Sequence, residues 1–217
     1  MPLSTAKLGC ADVRTRVEPR LSGNATVMKS ETVDLVGQIR ARRSVGRSEG
    51  EPSRDAIREL IDAAVWAPNH HLTQPWTFTV LRGNARAAFG EFWAKARADE
   101  LGLQGTQREG FVSGESQKPM RSPVLMIVST RTDDDPVVAA EDFAATAAAV
   151  QNLLLAASAR GYAAMWRTGA MAYHPAVKSY LGLDPSDRIV AVVYLGERGT
   201  KEPPSQERAE PKIRWID

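Results

Sequence analysis

The stretch Ala67-Pro68-Asn69-His70-His71-Leu72-Thr73-Gln74-Pro75-Trp76 decides how the rest of this chain is read. Upstream of it, Ile57, Leu60, Ile61, Ala64 and Val65 recur at helical spacing behind Ser53, a residue suited to cap a helix, and Pro68 ends that helix. Downstream, Trp76 to Leu81 alternates large and β-branched residues as a strand does. A loop dense in hydrogen-bonding side chains therefore joins a helix to a strand. Convergent polar groups on an otherwise apolar wall suit an extended heterocycle. Working outward, Val33, Val36, Ile39 and Arg40 give a helix from Thr32 that ends near Arg42. Arg42, Arg43 and Ser44 then set two guanidinium groups beside a hydroxyl, the chemistry a phosphate selects. A cationic helix end would account for both arginines through the helix dipole alone, but does less for Ser44.

The remaining pattern mixes helices and strands. A helix is expected over 84–100 with Phe89, Phe92 and Trp93 on one side, and a buried strand over 122–130. The Ala/Leu-rich segment 138–160 is apolar over much of its circumference, so it belongs to a core or a subunit interface. Gly161 ends that helix, and Tyr162 to Trp166 is a short strand leading into Arg167-Thr168-Gly169. A short helix over 175–181 and the strand Ile189 to Leu195 complete the order. Without regular strand–helix–strand alternation, the fold class is α+β with a mainly antiparallel sheet. Residues 101–121 carry few apolar anchors and read as a long loop, of the kind that forms lids. Residues 1–31 lack periodicity and read as a disordered or loosely packed tail ahead of a single domain over 32–217.

Composition narrows the function. With 217 residues and 43% apolar content, the chain suits one compact domain with an ample core. Its 28 basic and 26 acidic residues nearly cancel, which gives no support for nucleic acid as a partner. A lone cysteine, Cys10, excludes an internal disulfide framework and any multi-cysteine metal site. No apolar run is long enough for a membrane span and no secretory signal is visible, so the expected location is the cytoplasm.

Three histidines are present, His70, His71 and His174, without the spacing of a metal site, so no metal is expected. Neither a dinucleotide fingerprint nor a phosphate-cradling P-loop occurs, and no nucleophile elbow supports hydrolase chemistry. No catalytic side chain is assigned. The acidic run Asp133-Asp134-Asp135 before Pro136 reads as a solvated turn.

Four blocks in order resemble the FMN-dependent nitroreductase family, and within it the small bacterial NAD(P)H nitroreductases. They are Arg42-Arg43-Ser44, Ala67 through Trp76, Gly161 through Gly169, and Tyr194-Leu195-Gly196. The resemblance implies a nitroreductase-like three-layer sandwich, its sheet flanked by helices, built as a homodimer with FMN at the interface. It implies that Arg42, Arg43 and Ser44 hold the FMN phosphate and ribityl chain, and that His70 and Gln74 lie near the cofactor. Trp66 would be a neighbour across the dimer, and Trp166, Arg167 and Thr168 would line the flavin from the other side. Residues 156–161 match a stretch tied to NAD(P) contact. The implied activity is ping-pong hydride transfer from NAD(P)H through FMN to nitroaromatic, quinone or similar electron-poor small molecules. Flavin carries such redox chemistry itself, which accounts for the missing acid–base pair. Alternatives on the same fold are a dehalogenase, an enone reductase or a flavin-cleaving enzyme, and, in another class, a non-catalytic flavin-binding sensor.

Overall fold

A computed structural model describes residues 34–200 and 206–217. The expected tail, its Cys10 and the start of the first helix at Thr32 and Val33 lie outside those residues. The described elements fall within one compact unit, Asp34–Asp217. In chain order they are α1 (Leu35–Ala41), α2 (Arg54–Ala64), β1 (Trp76–Arg82), α3 (Asn84–Glu100), α4 (Gly105–Ser116), β2 (Val124–Thr130), α5 (Pro136–Ala159), β3 (Tyr162–Arg167), α6 (Gly169–Tyr173), α7 (Pro175–Leu181) and β4 (Arg188–Glu197).

The four strands form one sheet in the order β1-β2-β4-β3, and every neighbouring pair is antiparallel. Strand alternation divides the core in two. Val124, Met126 and Val128 of β2, with Ala191, Val193 and Leu195 of β4, pack on α2 and α5. Leu125 and Ile127, with Val192 and Tyr194, pack on α3, α6 and α7. Helices on both faces of an antiparallel sheet make the expected α+β three-layer arrangement, and β2, covered twice, is buried at every position. The pairing of β2 with β4 slips between Val128 and Ser129, which leaves Val190 as an extra residue opposite no partner on β2. The slip returns Ile189 to the same face as Val192 and Tyr194.

Local chemistry sets the element ends. The Ser53 hydroxyl accepts from the Ala56 amide at 3.1 Å to start α2. Asp135 accepts from the Val137 amide at 2.8 Å to start α5, and Asp133 accepts from the Asp135 amide at 2.9 Å, so the acidic run caps a helix. Gly182, with φ 69°, ends α7 in the left-handed region. The long helix α5 buries Ala145, Ala149, Val150, Leu153 and Ala157 as the core partner of the sheet.

Two expectations are corrected. Residues 101–121 are not a long loop, because α4 occupies Gly105–Ser116 and a 3-10 turn follows at Lys118–Arg121. Its glycines and serines argue against a helix in isolation. Tertiary contacts supply what propensity lacks. Arg108 bonds Asp99 at 2.6 Å, the Trp93 indole donates to Glu115 at 3.2 Å, and Gly90 of α3 admits the Ser116 carbonyl where a side chain would collide. The second correction is α6, a short helix where the sequence shows only a chain leading away from β3.

Gly196 marks a close approach of backbones. A Cβ there would sit 2.7 Å from Pro123 Cδ and collide with the Ser48 hydroxyl, which donates to Ser122 at 2.9 Å. Gly196→Val should therefore destabilise the fold by about 1–3 kcal/mol through overpacking. Thermal unfolding reads this as a lower midpoint, and an unchanged midpoint would mean that residues 45–49 are not seated on β4.

Candidate active site

The Arg42–Ser44 turn is positioned by the edge of the sheet. The Val45 amide donates to the Ala164 carbonyl at 3.1 Å, and Glu49 bridges Glu197, the residue paired with Tyr162. Residues 45–49 thus cross from the outer edge of β3 at Ala164 to β4 at Glu197, passing Arg121 on the way. Arg42, Arg43 and Ser44 directly precede Val45, the residue bonded to that edge. Gly46 lies against Met165, where a Cβ would stand 2.7 Å from Cε. Arg42 and Arg43 are half-buried and Ser44 is exposed. The Arg43 guanidinium turns back on its own helix end, donating to the carbonyls of Arg40 and Arg42, the latter at 3.0 Å. Arg43 therefore also fills the helix-end role that the sequence offered as the plainer reading.

Trp166 is held from within. Its indole donates to the Val190 carbonyl at 3.0 Å, so the acceptor is the extra residue of the β4 slip. Half-buried, the ring packs against the α2–α5 side of the core. Arg167, one residue later, points to the other face, and Thr168 precedes α6.

The His70–Gln74 loop sits at the same end of the sheet, since Trp76 pairs with Thr130 and Thr130 with Arg188. It occupies the opposite edge, however, beside β1 rather than β3. Three inter-strand spacings, about 14 Å, separate the two edges. Within one chain Arg42, Arg43 and Ser44 precede the residue bonded to β3, the strand that carries Trp166 and Arg167, whereas His70 and Gln74 lie beside β1 at the other edge.

That loop is tightly built. His71, Leu72 and Gln74 have φ of 54°, 52° and 44°, three non-glycine residues in the left-handed region. Side chains hold it there. Thr73 donates to the buried Asp142 carboxylate at 2.6 Å, Arg131 donates to the Thr73 carbonyl at 2.9 Å, and the Asn69 carbonyl oxygen accepts from the Gln74 amide at 3.0 Å. His70 Nδ1 lies 2.8 Å from Glu141, and the His70 and His71 rings stack at 3.9 Å. Strained backbone of this kind concentrates where a site needs a fixed geometry. Trp66 and Leu72 are 82% and 77% exposed, so neither belongs to this chain's core.

A cavity of about 460 Å³ lies on the α3–α6 side of the sheet, and Arg167 and Thr168 line it together with Trp93, Arg121 and Tyr194. Sequence reasoning missed this cavity, because its walls come from segments the pattern left unconnected. Burial pushes the Tyr194 phenol above its ordinary value of 10.0, and the Arg167 and Arg121 guanidiniums oppose that rise. His174 caps α7 through Nδ1, which accepts from the Ala176 amide at 3.2 Å, and its ring stands edge-on to Trp93. Among the described residues, no group of three or more His, Cys, Asp or Glu side chains is placed to hold a metal. No helix among them is long and apolar enough to cross a membrane.

Two measurements test these placements. Thr73→Val leaves Asp142 buried without its donor and should cost about 1–3 kcal/mol in denaturant unfolding. A neutral result would remove Asp142 as the anchor of the loop. The raised Tyr194 phenol contributes stability that is complete below pH 10 and is lost as pH climbs through its higher folded value. Unfolding midpoints should fall more steeply above that pH in the native protein than in Tyr194→Phe, and parallel curves would contradict the assignment.

The sequence profile of the Nitroreductase family matches residues 39–197. "Putative NAD(P)H nitroreductase YdjA" of Escherichia coli is 27% identical over 166 residues, covering 76% of this chain and 88% of that protein. "Putative NAD(P)H nitroreductase YfhC" of Bacillus subtilis is 29% identical over 164 residues, covering 73% of this chain and 81% of its own length. A nitroreductase-like family protein from Bacillus cereus superposes with a TM-score of 0.74 at 26% identity, over 84% of this chain and 95% of that one. A nitroreductase with bound FMN from Bacteroides fragilis gives a TM-score of 0.64 at 22% identity, over 86% and 100%, a likeness of fold. With the profile spanning every strand from β1 to β4, this chain belongs to the Nitroreductase family.

Proposed function

We propose that this protein is an FMN-dependent oxidoreductase that passes hydride equivalents from NAD(P)H to nitroaromatic, quinone or similar electron-poor small molecules in a ping-pong cycle. The observation that carries the reading is the bond of the Val45 amide to the Ala164 carbonyl on the outer edge of β3. Two half-buried guanidiniums and a hydroxyl directly precede that anchor in a chain of this family. Arg42, whose side chain meets no partner among the described residues, supplies a charged fork for the phosphate, and Arg43 retains N–H donors beyond those spent on Arg40 and Arg42. Backbone around Trp166–Thr168, rigid because the indole is tied to Val190, offers donors to a ring edge. When bound, FMN supplies the two-electron exchange, and the protein's part is to hold, orient and shield it. Arg167 and Arg43 are the cations placed to favour negative charge on the ring.

A second copy completes this site. His70, Gln74 and Trp66 belong to the same expected pocket, yet the His70–Gln74 loop lies at the β1 edge while Val45, next to Ser44, is bonded to β3 at the other. Leu35, Val36 and Ile39 of α1 are 57%, 56% and 46% exposed, and Trp66, Leu72 and Val137 add to the uncovered apolar surface. Surface of that kind on a small protein marks an interface. A homodimer covers it, and brings the partner's loop to this chain's arginine turn. The C-terminal residues 206–217, all exposed and ending in Ile213, Trp215 and Ile216, are further contacts for that second copy.

Purified protein should carry the yellow flavin spectrum and sediment as a dimer. Replacing Arg42 and Arg43 together with Ala removes charge-assisted bonds that contribute about 1.5–3 kcal/mol each, and should abolish flavin retention. Full flavin occupancy in that variant would sink the phosphate assignment. Stopped-flow mixing with NADPH or NADH should bleach the flavin, and an electron-poor acceptor should restore it. A flavin that stays oxidised would indicate a sensor. Val36→Asp with Ile39→Asp should shift the protein to monomer and lower flavin content in parallel, and a flavin-loaded monomer would contradict the shared site.

A further inference from the structure

Helix N-caps are normally residues such as Ser, Thr or Asn, whose side-chain oxygen stays an acceptor whatever the pH. In α7 the cap is His174 instead. Pro175 has no N–H, so Ala176 carries the first amide of that helix, and His174 Nδ1 accepts from it at 3.2 Å. A ring nitrogen that accepts carries no proton. The proton of the neutral ring therefore sits on Nε2, which stands 3.3 Å from Glu100 at the end of α3. Both ring nitrogens are committed, and the side chain is only 14% exposed, with the Trp93 ring against it at 5.7 Å.

The charges around this ring are few. On α3, Arg97 bonds the same Glu100 oxygen that faces His174. That bond, opposed by burial, holds the Glu100 carboxyl below its ordinary value of 4.5, so it stays an anion at mildly acidic pH. On α7, Lys178 donates to the Pro185 carbonyl at 2.7 Å, and on α6 the Tyr173 side chain is exposed.

Imidazoles change charge between about pH 5 and 8. Here the second proton has only Nδ1 to go to. An Nδ1–H cannot accept from the Ala176 amide, so two N–H groups would face each other and the cap is lost. At its other end the charged ring gains, because Nε2–H meets the Glu100 anion. The neutral ring thus joins α7 to α3, whereas the charged ring holds α3 alone. Helix α7 has seven residues and buries only Val177, in the cluster that also holds Met171 and Ala172 of α6. A helix that short depends on its end contacts.

We propose that His174 is a proton-sensitive latch, which fastens α7 to α3 when neutral and releases α7 from its cap when protonated, while the sheet stays folded. The latch does not depend on the reductase reading.

Amide hydrogen exchange of the full chain at about pH 8 and about pH 5, corrected for the intrinsic pH dependence of exchange, reads this state. Pro175–Leu181 should lose protection at the lower pH by about two- to thirty-fold, the equivalent of one N-cap bond, with β2 and β4 unchanged. His174→Asn keeps an acceptor at every pH and should abolish the difference. Glu100→Gln still accepts from Nε2–H but offers the charged ring no anion, so the loss should begin at lower pH. Proton–nitrogen correlation spectra at the higher pH should show His174 as the Nε2–H tautomer. Protection that is the same at both pH values would overturn the proposal, as would an equal loss in His174→Asn, an Nδ1–H tautomer, or a loss spread over the whole sheet. An onset that Glu100→Gln leaves in place would overturn it too.

Discussion

Trp166, Tyr194 and residues 48–49 are all held by β4, the strand buried on both faces between β2 and β3. Its extra residue Val190 turns a carbonyl out of the β2 ladder, and the Trp166 indole takes it. Three residues before its end, Tyr194 lines the cavity that Arg121 and Arg167 also line. At Gly196 the missing side chain lets Ser48 and Pro123 close in, and that contact helps seat residues 48–49 on β4. A strand sealed on both sides cannot shift without moving two core layers at once. Groups hung from it therefore inherit its rigidity, which a redox site needs for orientation.

Charge is distributed so that Arg121 and Arg167 line the cavity on the α3–α6 side and meet no carboxylate among the described residues. Acids elsewhere are committed locally. Asp135 caps α5, Asp142 accepts from Thr73, and Glu115 is held by Lys118 and Trp93. The formal charge of +2 conceals this, because its small size averages a cationic cavity against acids spent on structure. Local geometry, not net charge, carries the electrostatic argument.

The loop after α2 shows the complementary case. Its left-handed His71, Leu72 and Gln74 cost free energy that Thr73, Asn69 and Arg131 offset through fixed bonds. An exposed leucine in such a conformation gains nothing from its own chain. Taken with uncovered Leu35, Val36, Ile39 and Trp66, it belongs to the apolar surface that the proposed homodimer would cover.

The sequence by itself determined the elements whose signals are local. Ser53 and Gly182 mark helix ends, alternation marks β1, an unbroken apolar run marks β4, and Arg42-Arg43-Ser44 with Ala67–Trp76 are among the blocks that mark the family. Helical spacing placed α3 on its observed bounds, because Phe89 and Trp93 both report burial on one face. Helix α4 was illegible, since its glycines oppose helix formation and only contacts with α3 restore it. The tertiary structure alone decided that Arg42–Ser44 and Trp166–Thr168 share one edge while the histidine loop lies at the other. It alone assembled the cavity of Arg121, Arg167 and Tyr194. Those relations depend on strand order and on a single-residue slip at Val190, and neither is encoded in the spacing of any one segment.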